Sequence, residues 1–223
     1  ESRVVSFLPL AHVYERLSGH FLLFASGATV AYAESPDTLQ EDFALVKPTS
    51  GSSVPRVYER IYAGIREQAS ESPVKQRIFR WAVGVGREYA MTEEPGALLS
   101  LKQSIADALV FSQVKEALGG EVEFLTSGGG SLSPELAYLF HGMGLKILEG
   151  YGLTETSPVV ATNPPEAPKI GTVGPPVVDM EVELDASVAP EEEFDAVEGE
   201  VGELLLRGPN VFAGYWNNPE ATE

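Results

Sequence analysis

Cysteine is absent from the 223 residues of this sequence. Its absence excludes disulfide bonds and metal sites built from thiolates, and it fits a reducing cytoplasm. No apolar run approaches the roughly 18 residues that a membrane-spanning helix requires. The sequence also lacks an initiator methionine and any start that resembles a signal peptide. The sequence opens in a stretch typical of a strand, so we expect it to be a piece of a longer protein. From the lack of cysteine and of a signal peptide we expect that protein to be cytoplasmic.

Basic residues are scarce, with 15 Lys and Arg against 33 Asp and Glu and a formal net charge of −18. Eleven of the acidic residues and no basic ones lie between Asp179 and Glu203, so the rest of the chain carries only about −7 (15 basic against 22 acidic). Binding of nucleic acid through bulk electrostatics is therefore not expected. A polyphosphate ligand would instead need local backbone donors and a metal ion.

The hydrophobic pattern predicts an α/β fold with a mostly parallel sheet layered with helices. Helix patterns cover about 12–24, 55–68, 73–89 and 98–118, and the Ser35-Pro36-Asp37 and Ser133-Pro134-Glu135 triplets predict two further helix starts with serine caps. Strand patterns cover 4–9, 28–32, 50–54, 121–126 and 145–149. A strand, a glycine loop, a helix and a strand follow one another from Glu121 to Glu149, which is typical of a parallel βαβ unit.

Prolines change the character of the chain after about residue 164. Residues 180–185 and 201–207 alternate like antiparallel strands, and the acidic segment 186–200 between them predicts a solvated, mobile hairpin loop. We therefore predict an α/β subdomain over 1–165, with a helical insertion at about 55–118, and a partial, antiparallel β subdomain over 166–223.

Two glycine-bearing segments are predicted at the carboxyl ends of strands, where ligands bind in such sheets. One is Thr126-Ser127-Gly128-Gly129-Gly130-Ser131-Leu132, hereafter the glycine loop, whose backbone N–H groups can bind phosphate or carboxylate. A glycine triplet is equally typical of a tight turn.

The other segment, Gly150-Tyr151-Gly152-Leu153-Thr154-Glu155, combines an aromatic ring, a hydroxyl and a carboxylate. Tyr151 offers a flat face to a base and Gly152 lets the backbone approach a ligand. Thr154 can donate to a phosphate oxygen, and Glu155 is a hard ligand suited to Mg²⁺. Taken alone, the segment fits an ordinary strand-to-loop turn equally well.

His12 follows a predicted strand, and two interpretations stay open for it: a helix-capping residue or a group near a carboxylate of the substrate. The three histidines of the sequence lack the spacing of metal ligands. A Gly-x-Ser-x-Gly nucleophile motif does not occur in the sequence.

The sequence resembles the adenylate-forming superfamily of acyl-CoA synthetases, adenylation domains and luciferases. The resemblance covers nearly the whole chain and rests on the two segments above, on Gly171-Thr172-Val173-Gly174-Pro175-Pro176, and on the stretch from Gly202 to Trp216. Two further stretches, 6–16 and 54–62, are similar to long-chain fatty acyl-CoA synthetases.

The resemblance implies a central fragment of the N-terminal domain of a ligase that uses ATP, Mg²⁺ and coenzyme A on a long-chain fatty acid. It implies that Tyr151 and Gly152 bind the nucleotide and that Thr154 contacts the α-phosphate. Glu155 would bind Mg²⁺, and Thr154 and Glu155 would be the catalytic pair. The nucleotide-binding wall would include Ser127, Gly128, Gly129 and Gly130, with Gly129 and His12 also near the acyl substrate.

Other parts of the implied active site are missing from this sequence. A phosphate loop ending in Pro-Lys-Gly is expected before Glu1, and a ribose-binding Thr-Gly-Asp and a lid with a catalytic lysine are expected after Glu223. We therefore expect no ligase activity from this chain alone.

Three functional alternatives remain at this point: an acyl-CoA ligase, an acyl-adenylate ligase that loads a carrier protein, and a non-catalytic interaction module that keeps the fold. Eight of the 15 basic residues lie between Lys47 and Arg87. They fit solvated helix faces, or a patch near coenzyme A phosphates or a membrane surface. Peripheral membrane contact therefore stays open, and no pattern indicates an oligomeric state.

Overall fold

The computed structural model describes residues 2–35, 37–188 and 199–222 as strands alternating with helices, followed by a short antiparallel pair. The strands are β1 (Arg3–Ser6), β2 (Thr29–Tyr32), β3 (Ser50–Ser53), β4 (Phe124–Ser127), β5 (Lys146–Gly152), β6 (Val159–Thr162), β7 (Glu181–Asp185) and β8 (Glu203–Arg207). The α-helices are α1 (Val13–Arg16), α2 (Leu22–Ala25), α3 (Leu39–Val46), α4 (Pro55–Ser70), α5 (Pro73–Met91), α6 (Ala97–Ala106), α7 (Ser112–Ala117) and α8 (Pro134–Gly142). Two π-helical segments, Leu17–Phe21 and Asp107–Phe111, make 13–25 and 97–117 continuous helical rods.

The central sheet has the strand order β3-β4-β5-β6. Strands β3, β4 and β5 are parallel, so their carboxyl ends meet at one edge, while β6 is antiparallel to β5. Strands β1 and β2 form a parallel pair, and the N–H of Thr49 donates to the carbonyl of Arg3 (2.8 Å), which places β1 beside the start of β3. The prediction of a mostly parallel sheet layered with helices is confirmed.

The main core lies between the helices α4 to α8 and strands β4 and β5. Tyr58, Phe111 and Phe140 are its largest fully buried side chains, and Tyr58 packs edge-on against Phe140. Helices α5 and α8 cross at Gly86 and Gly142, where a Cβ on Gly142 would lie 2.2 Å from the Gly86 carbonyl oxygen. Only glycine permits this approach, and it fixes α8 directly behind the strand that carries Tyr151.

Strands β7 and β8 pair in an antiparallel register from Glu181↔Arg207 to Asp185↔Glu203, so the small C-terminal antiparallel element is confirmed. The predicted loop 186–200 falls mostly on 189–198, outside the described residues. The division into subdomains near residue 165 stays a prediction. Within the described ranges, no helix combines the length and the apolar character needed to cross a bilayer.

Three local predictions need correction. The helix predicted from Ser35 begins only at Leu39, because the Ser35 hydroxyl accepts the Asp37 N–H (3.2 Å) in a turn instead of capping a helix. Helix α8 does begin at Pro134, but the Ser133 hydroxyl donates to the Glu135 carboxylate (2.6 Å) instead of capping backbone N–H groups.

The third correction concerns Tyr151 and Gly152, which belong to strand β5 and not to a loop after it. Strand β6 was not predicted from the sequence, and its pairing with β5 extends that strand through Gly152. Tyr151 is therefore held by sheet hydrogen bonds, opposite Ala161.

Candidate active site

The glycine loop leaves β4 at the carboxyl edge of the sheet and lies against the start of helix α4. The N–H of Gly128 donates to the Ser53 carbonyl (3.2 Å), and Gly129 has a positive φ of 74° that favours glycine. Helix α4 begins after Val54, whose side chain makes no capping hydrogen bond. Glycine-loop amides and the N-terminus of a 16-residue helix thus lie side by side, an arrangement that favours an anionic group.

Glu149 ties the far end of the glycine loop to β5. Its buried carboxylate accepts the N–H of Leu132 (3.3 Å), and its Cα lies opposite Ser127 in the sheet register. The backbone N–H and side-chain amide of Asn163 both donate to the Glu149 carbonyl (2.9 and 3.3 Å). The glycine loop and the strand that presents Tyr151 therefore form one connected unit.

Two serine hydroxyls at this edge have no hydrogen-bond partner within the described residues. Ser53 and Ser127 are register partners on β3 and β4, and both are buried. Buried polar atoms in proteins are nearly always paired with protein or water. These two hydroxyls therefore offer hydrogen-bonding capacity to a polar ligand atom or a water beneath the glycine loop.

Tyr151 and Gly152 form the next part of the edge. Tyr151 is half-buried, so its ring does not belong to the core, and Gly152 is exposed. A Cβ on Gly152 would lie 1.5 Å from the carbonyl oxygen of Pro158, so glycine is required there by backbone packing. The fold itself therefore accounts for glycine at position 152. The role of Gly152 in binding a nucleotide stays a prediction.

Thr154 and Glu155 lie in a 3₁₀ turn, Thr154–Thr156, directly after β5. Thr154 is exposed and Glu155 is half-buried. The hydroxyl of Tyr215 donates to Oε1 of Glu155 (2.7 Å), and this hydrogen bond lowers the pKa of the Glu155 carboxyl below its ordinary value. Within the described part of the chain Glu155 makes no ion pair, so its charge is available to a ligand.

Glu155 fits a metal that arrives with a nucleotide better than a metal held by protein alone. Across 2–35, 37–188 and 199–222, no group of three or more His, Cys, Asp or Glu side chains is arranged to hold a metal ion. Mg²⁺ usually keeps several waters and binds one or two carboxylates together with substrate phosphates. One ionised carboxylate beside an anion-favouring loop matches that ligand set.

His12 is exposed and precedes helix α1, where its Nδ1 accepts the N–H of Tyr14 (3.2 Å). The capping interpretation therefore describes its contact in this structure. The cap uses Nδ1 only, so Nε2 remains open to a substrate, and the predicted substrate role stays a prediction.

Two tyrosines with no predicted role in the site, Tyr14 and Tyr58, support the glycine loop. The Tyr14 hydroxyl lies 2.7 Å from Oγ1 of Thr126, and the Tyr58 hydroxyl donates to the Thr126 carbonyl (2.7 Å). Burial is the main cause that raises the pKa of both phenols, so both stay protonated at neutral pH. Their partners lie 112 and 68 residues away, and no local pattern could have paired them.

The model of the family described as "AMP-binding enzyme" matches residues 1–216. A long-chain-fatty-acid–CoA ligase, FadD15, of Mycobacterium bovis is 38% identical over 99% of this chain, and long chain acyl-CoA synthetase 3 of Arabidopsis thaliana is 33% identical over 98%. The adenylation domain of a carboxylate reductase from Mycobacterium chelonae superposes with a TM-score of 0.64 at 27% identity, covering 98% of this chain and 29% of that one.

The chain spans about one third of the two curated relatives, 34% of the first and 33% of the second. The matched third includes the glycine loop and the segment from Tyr151 to Glu155. The similarity therefore extends over every candidate site residue described above.

Proposed function

The chain belongs to the AMP-binding enzyme family, and we propose that the protein containing it is an ATP-dependent ligase that joins a long-chain fatty acid to coenzyme A. The observation that carries this proposal is the juxtaposition, at one sheet edge, of the glycine loop with the β5 end that bears Tyr151, Thr154 and Glu155. The sequence similarity to fatty acid–CoA ligases supports the choice of substrate.

The proposed reaction has two steps. The fatty acid carboxylate attacks the α-phosphorus of ATP, forming an acyl-adenylate and releasing pyrophosphate. The sulfur of coenzyme A then attacks the acyl carbon, forming the thioester and releasing AMP. Chemistry of this kind depends mostly on positioning and on charge neutralisation at phosphorus.

Tyr151 stacks on adenine and Gly152 keeps the backbone close to it. The Thr154 hydroxyl donates to the α-phosphate, where negative charge builds up during attack. When bound, Mg²⁺ would neutralise phosphate charge, and Glu155 would be its protein ligand.

The glycine loop supplies the second wall. Its backbone N–H groups, from Gly128 to Gly130, orient the acyl carboxylate and the adenine side of the nucleotide, with Ser127 beneath them. His12 approaches the acyl carboxylate through Nε2. These roles rest on the anion-favouring geometry of the loop and of the α4 N-terminus.

The test is ATP–pyrophosphate exchange, dependent on a long-chain fatty acid, with the protein expressed from its complete gene. Glu155→Gln should reduce the exchange rate by about 10²-fold or more, on the order of the loss caused by removing one preorganised electrostatic group. Glu166→Gln, which removes an exposed carboxylate on the loop after β6, is the matched control and should retain activity. Equal activity of the two variants would refute the role of Glu155. The 223-residue chain alone should show no exchange.

The acceptor of the acyl group is a separate question. One similar structure is the adenylation domain of a carboxylate reductase and not a CoA ligase, so we keep as a second candidate a ligase that delivers its acyl-adenylate to a carrier protein. Thioester formation on free coenzyme A supports the first proposal, whereas exchange activity with no acyl-CoA product supports the second. A non-catalytic module would bind neither ATP with Mg²⁺ nor a fatty acid.

We also propose that the protein acts in the cytoplasm and contacts membranes only peripherally, because its proposed substrate partitions into lipid. Cell fractionation tests this: release of the protein from membranes by salt supports it, and resistance to both salt and carbonate contradicts it. Limited proteolysis tests the two subdomains proposed above: a cut near residue 165 that leaves both fragments resistant to further digestion would support them.

A further inference from the structure

The stretch that follows β8 closes over the turn carrying Glu155. The side-chain amide of Asn210 donates to the carbonyls of Thr156 and Val159, both at 2.7 Å. The N–H of Phe212 donates to the carbonyl of Glu155 (2.8 Å). The hydroxyl of Tyr215 then donates to Oε1 of the same glutamate (2.7 Å). These hydrogen bonds join two segments that are distant in the chain.

Tyr215 is held in place from two sides. Its ring meets the ring of Phe212 edge-on, with centroids 4.8 Å apart, and its N–H donates to Oγ1 of Thr222 (3.0 Å). Tyr215 and Phe212 both lie at the surface, with 44% and 37% of their area exposed. The phenol nevertheless reaches Glu155 with its ring in contact with Phe212 and its backbone N–H bound to Thr222.

The hydrogen bond engages only one carboxylate oxygen. Oε1 of Glu155 accepts the phenolic proton, and no hydrogen bond reaches Oε2 within the described residues. A carboxylate fixed through one oxygen presents the other in one direction. Groups that orient a metal-binding carboxylate in this way increase metal affinity without touching the metal.

We propose that Tyr215 is a positioning residue, whose hydroxyl holds Glu155 so that Oε2 faces the Mg²⁺ that accompanies ATP. This inference rests on the proposed function of Glu155 as a metal ligand. Its consequence is specific: loss of the hydroxyl should weaken the use of Mg²⁺ and not the maximal rate once Mg²⁺ is saturating.

The test compares Tyr215→Phe with the unaltered protein expressed from its complete gene. Tyr215→Phe should raise the Mg²⁺ concentration for half-maximal pyrophosphate exchange about 10-fold, the lower end of the usual effect of removing such a support. The turnover rate at saturating Mg²⁺ should change less than about 2-fold, because the carboxylate itself is retained. Trp216→Phe is the matched control, since Trp216 is the next residue and is 91% exposed.

A second readout does not depend on catalysis. Mn²⁺ binding, followed by electron paramagnetic resonance in the presence of ATP, should weaken in Tyr215→Phe by a similar factor and stay unchanged in Trp216→Phe. Equal Mn²⁺ affinity in the two variants would overturn the proposal. If the protein catalyses no exchange but Mn²⁺ binding still depends on Tyr215, the ligase proposal fails while the positioning role stands.

Discussion

The ring of Tyr14 lies directly against Gly128, the first glycine of the glycine loop. A Cβ built on Gly128 would lie 3.1 Å from Cζ of Tyr14, closer than ordinary van der Waals contact. The Tyr14 hydroxyl is fixed at the same time by its 2.7 Å contact with Oγ1 of Thr126. The helix after β1 and the loop after β4 thus restrain each other, which connects the segment bearing His12 to the glycine loop.

Gly128→Ala should therefore destabilise the protein and weaken nucleotide binding. The added methyl group would push against a ring held at both its face and its hydroxyl, and overpacking of this kind costs about 1–3 kcal/mol. Gly64→Ala is the matched control: Gly64 lies within α4, where an added Cβ would meet nothing within 4 Å, so alanine should stabilise by about 0.5–1 kcal/mol. Urea unfolding and titration with ATP and Mg²⁺ measure both effects.

A double-mutant cycle identifies the cause of the Gly128→Ala effect. In a Tyr14→Leu background the ring is gone, so Gly128→Ala should cost less than in the native background. If the cost is the same in both backgrounds, contact with Tyr14 is not its cause and the proposed coupling is wrong.

We expect the buried carboxyl of Glu15 to make the stability of the protein decrease as pH rises. Its carboxyl is fully buried beside Gly19, and its Oε2 has no hydrogen-bond partner within the described residues. Burial raises the pKa of Glu15 above 4.5, while the hydrogen bond from Ser6 and the nearby backbone of Phe7 and Leu8 oppose part of the rise. The folded protein therefore binds this proton more tightly than the unfolded chain does.

The sign follows from proton linkage. As pH rises from about 4.5 through the raised folded pKa, the unfolded chain ionises first, and stability is lost by about 1.4 kcal/mol for each unit of pKa difference. Glu15→Gln keeps an acceptor for Ser6 and removes the ionisation. The difference in unfolding free energy between Glu15→Gln and the unaltered protein should therefore favour the variant more at about pH 7 than below about pH 4.5. Chemical unfolding at several pH values measures this, with Glu116→Gln on the exposed face of α7 correcting for the loss of one charge. A pH-independent difference between Glu15→Gln and the unaltered protein would contradict the prediction.

Local signals were sufficient for much of the fold. Proline marks the starts of α4, α5 and α8, because its ring fixes the backbone angle φ at the first helical position. Gly144 marks the turn before β5, because glycine readily takes the positive φ found there. The position of the glycine loop and of Tyr151 at neighbouring strand ends followed from the βαβ order alone. Strand β6 was missed because its short apolar run, Val159–Thr162, becomes a strand only by pairing with β5.

The supports of the candidate site were out of reach of the sequence, because they depend on contacts distant in the chain. Tyr14 meets Thr126, Leu132 meets Glu149, and Tyr215 meets Glu155, across 112, 17 and 60 residues.

His141 carries the last prediction, since its Nε2 joins helix α8 to strand β5, within hydrogen-bond distance of both the N–H and the carbonyl of Ile147. Its Nε2 accepts the N–H of Ile147 (3.1 Å), five residues before Gly152. Burial lowers the pKa of His141 below 6.5, and nearby Lys146 adds to that effect, while the Ile147 carbonyl opposes it. The unfolded chain therefore takes up a proton before the folded protein does.

The contribution of His141 to stability should be fully present above about pH 6.5 and should decrease as pH falls below it towards the folded pKa. His141→Gln retains an acceptor near the Nε2 position and does not titrate, so its unfolding free energy should decline less between about pH 7 and pH 5. Denaturant unfolding of both proteins at half-unit pH steps measures the difference, and parallel curves would show that His141 does not couple protonation to stability.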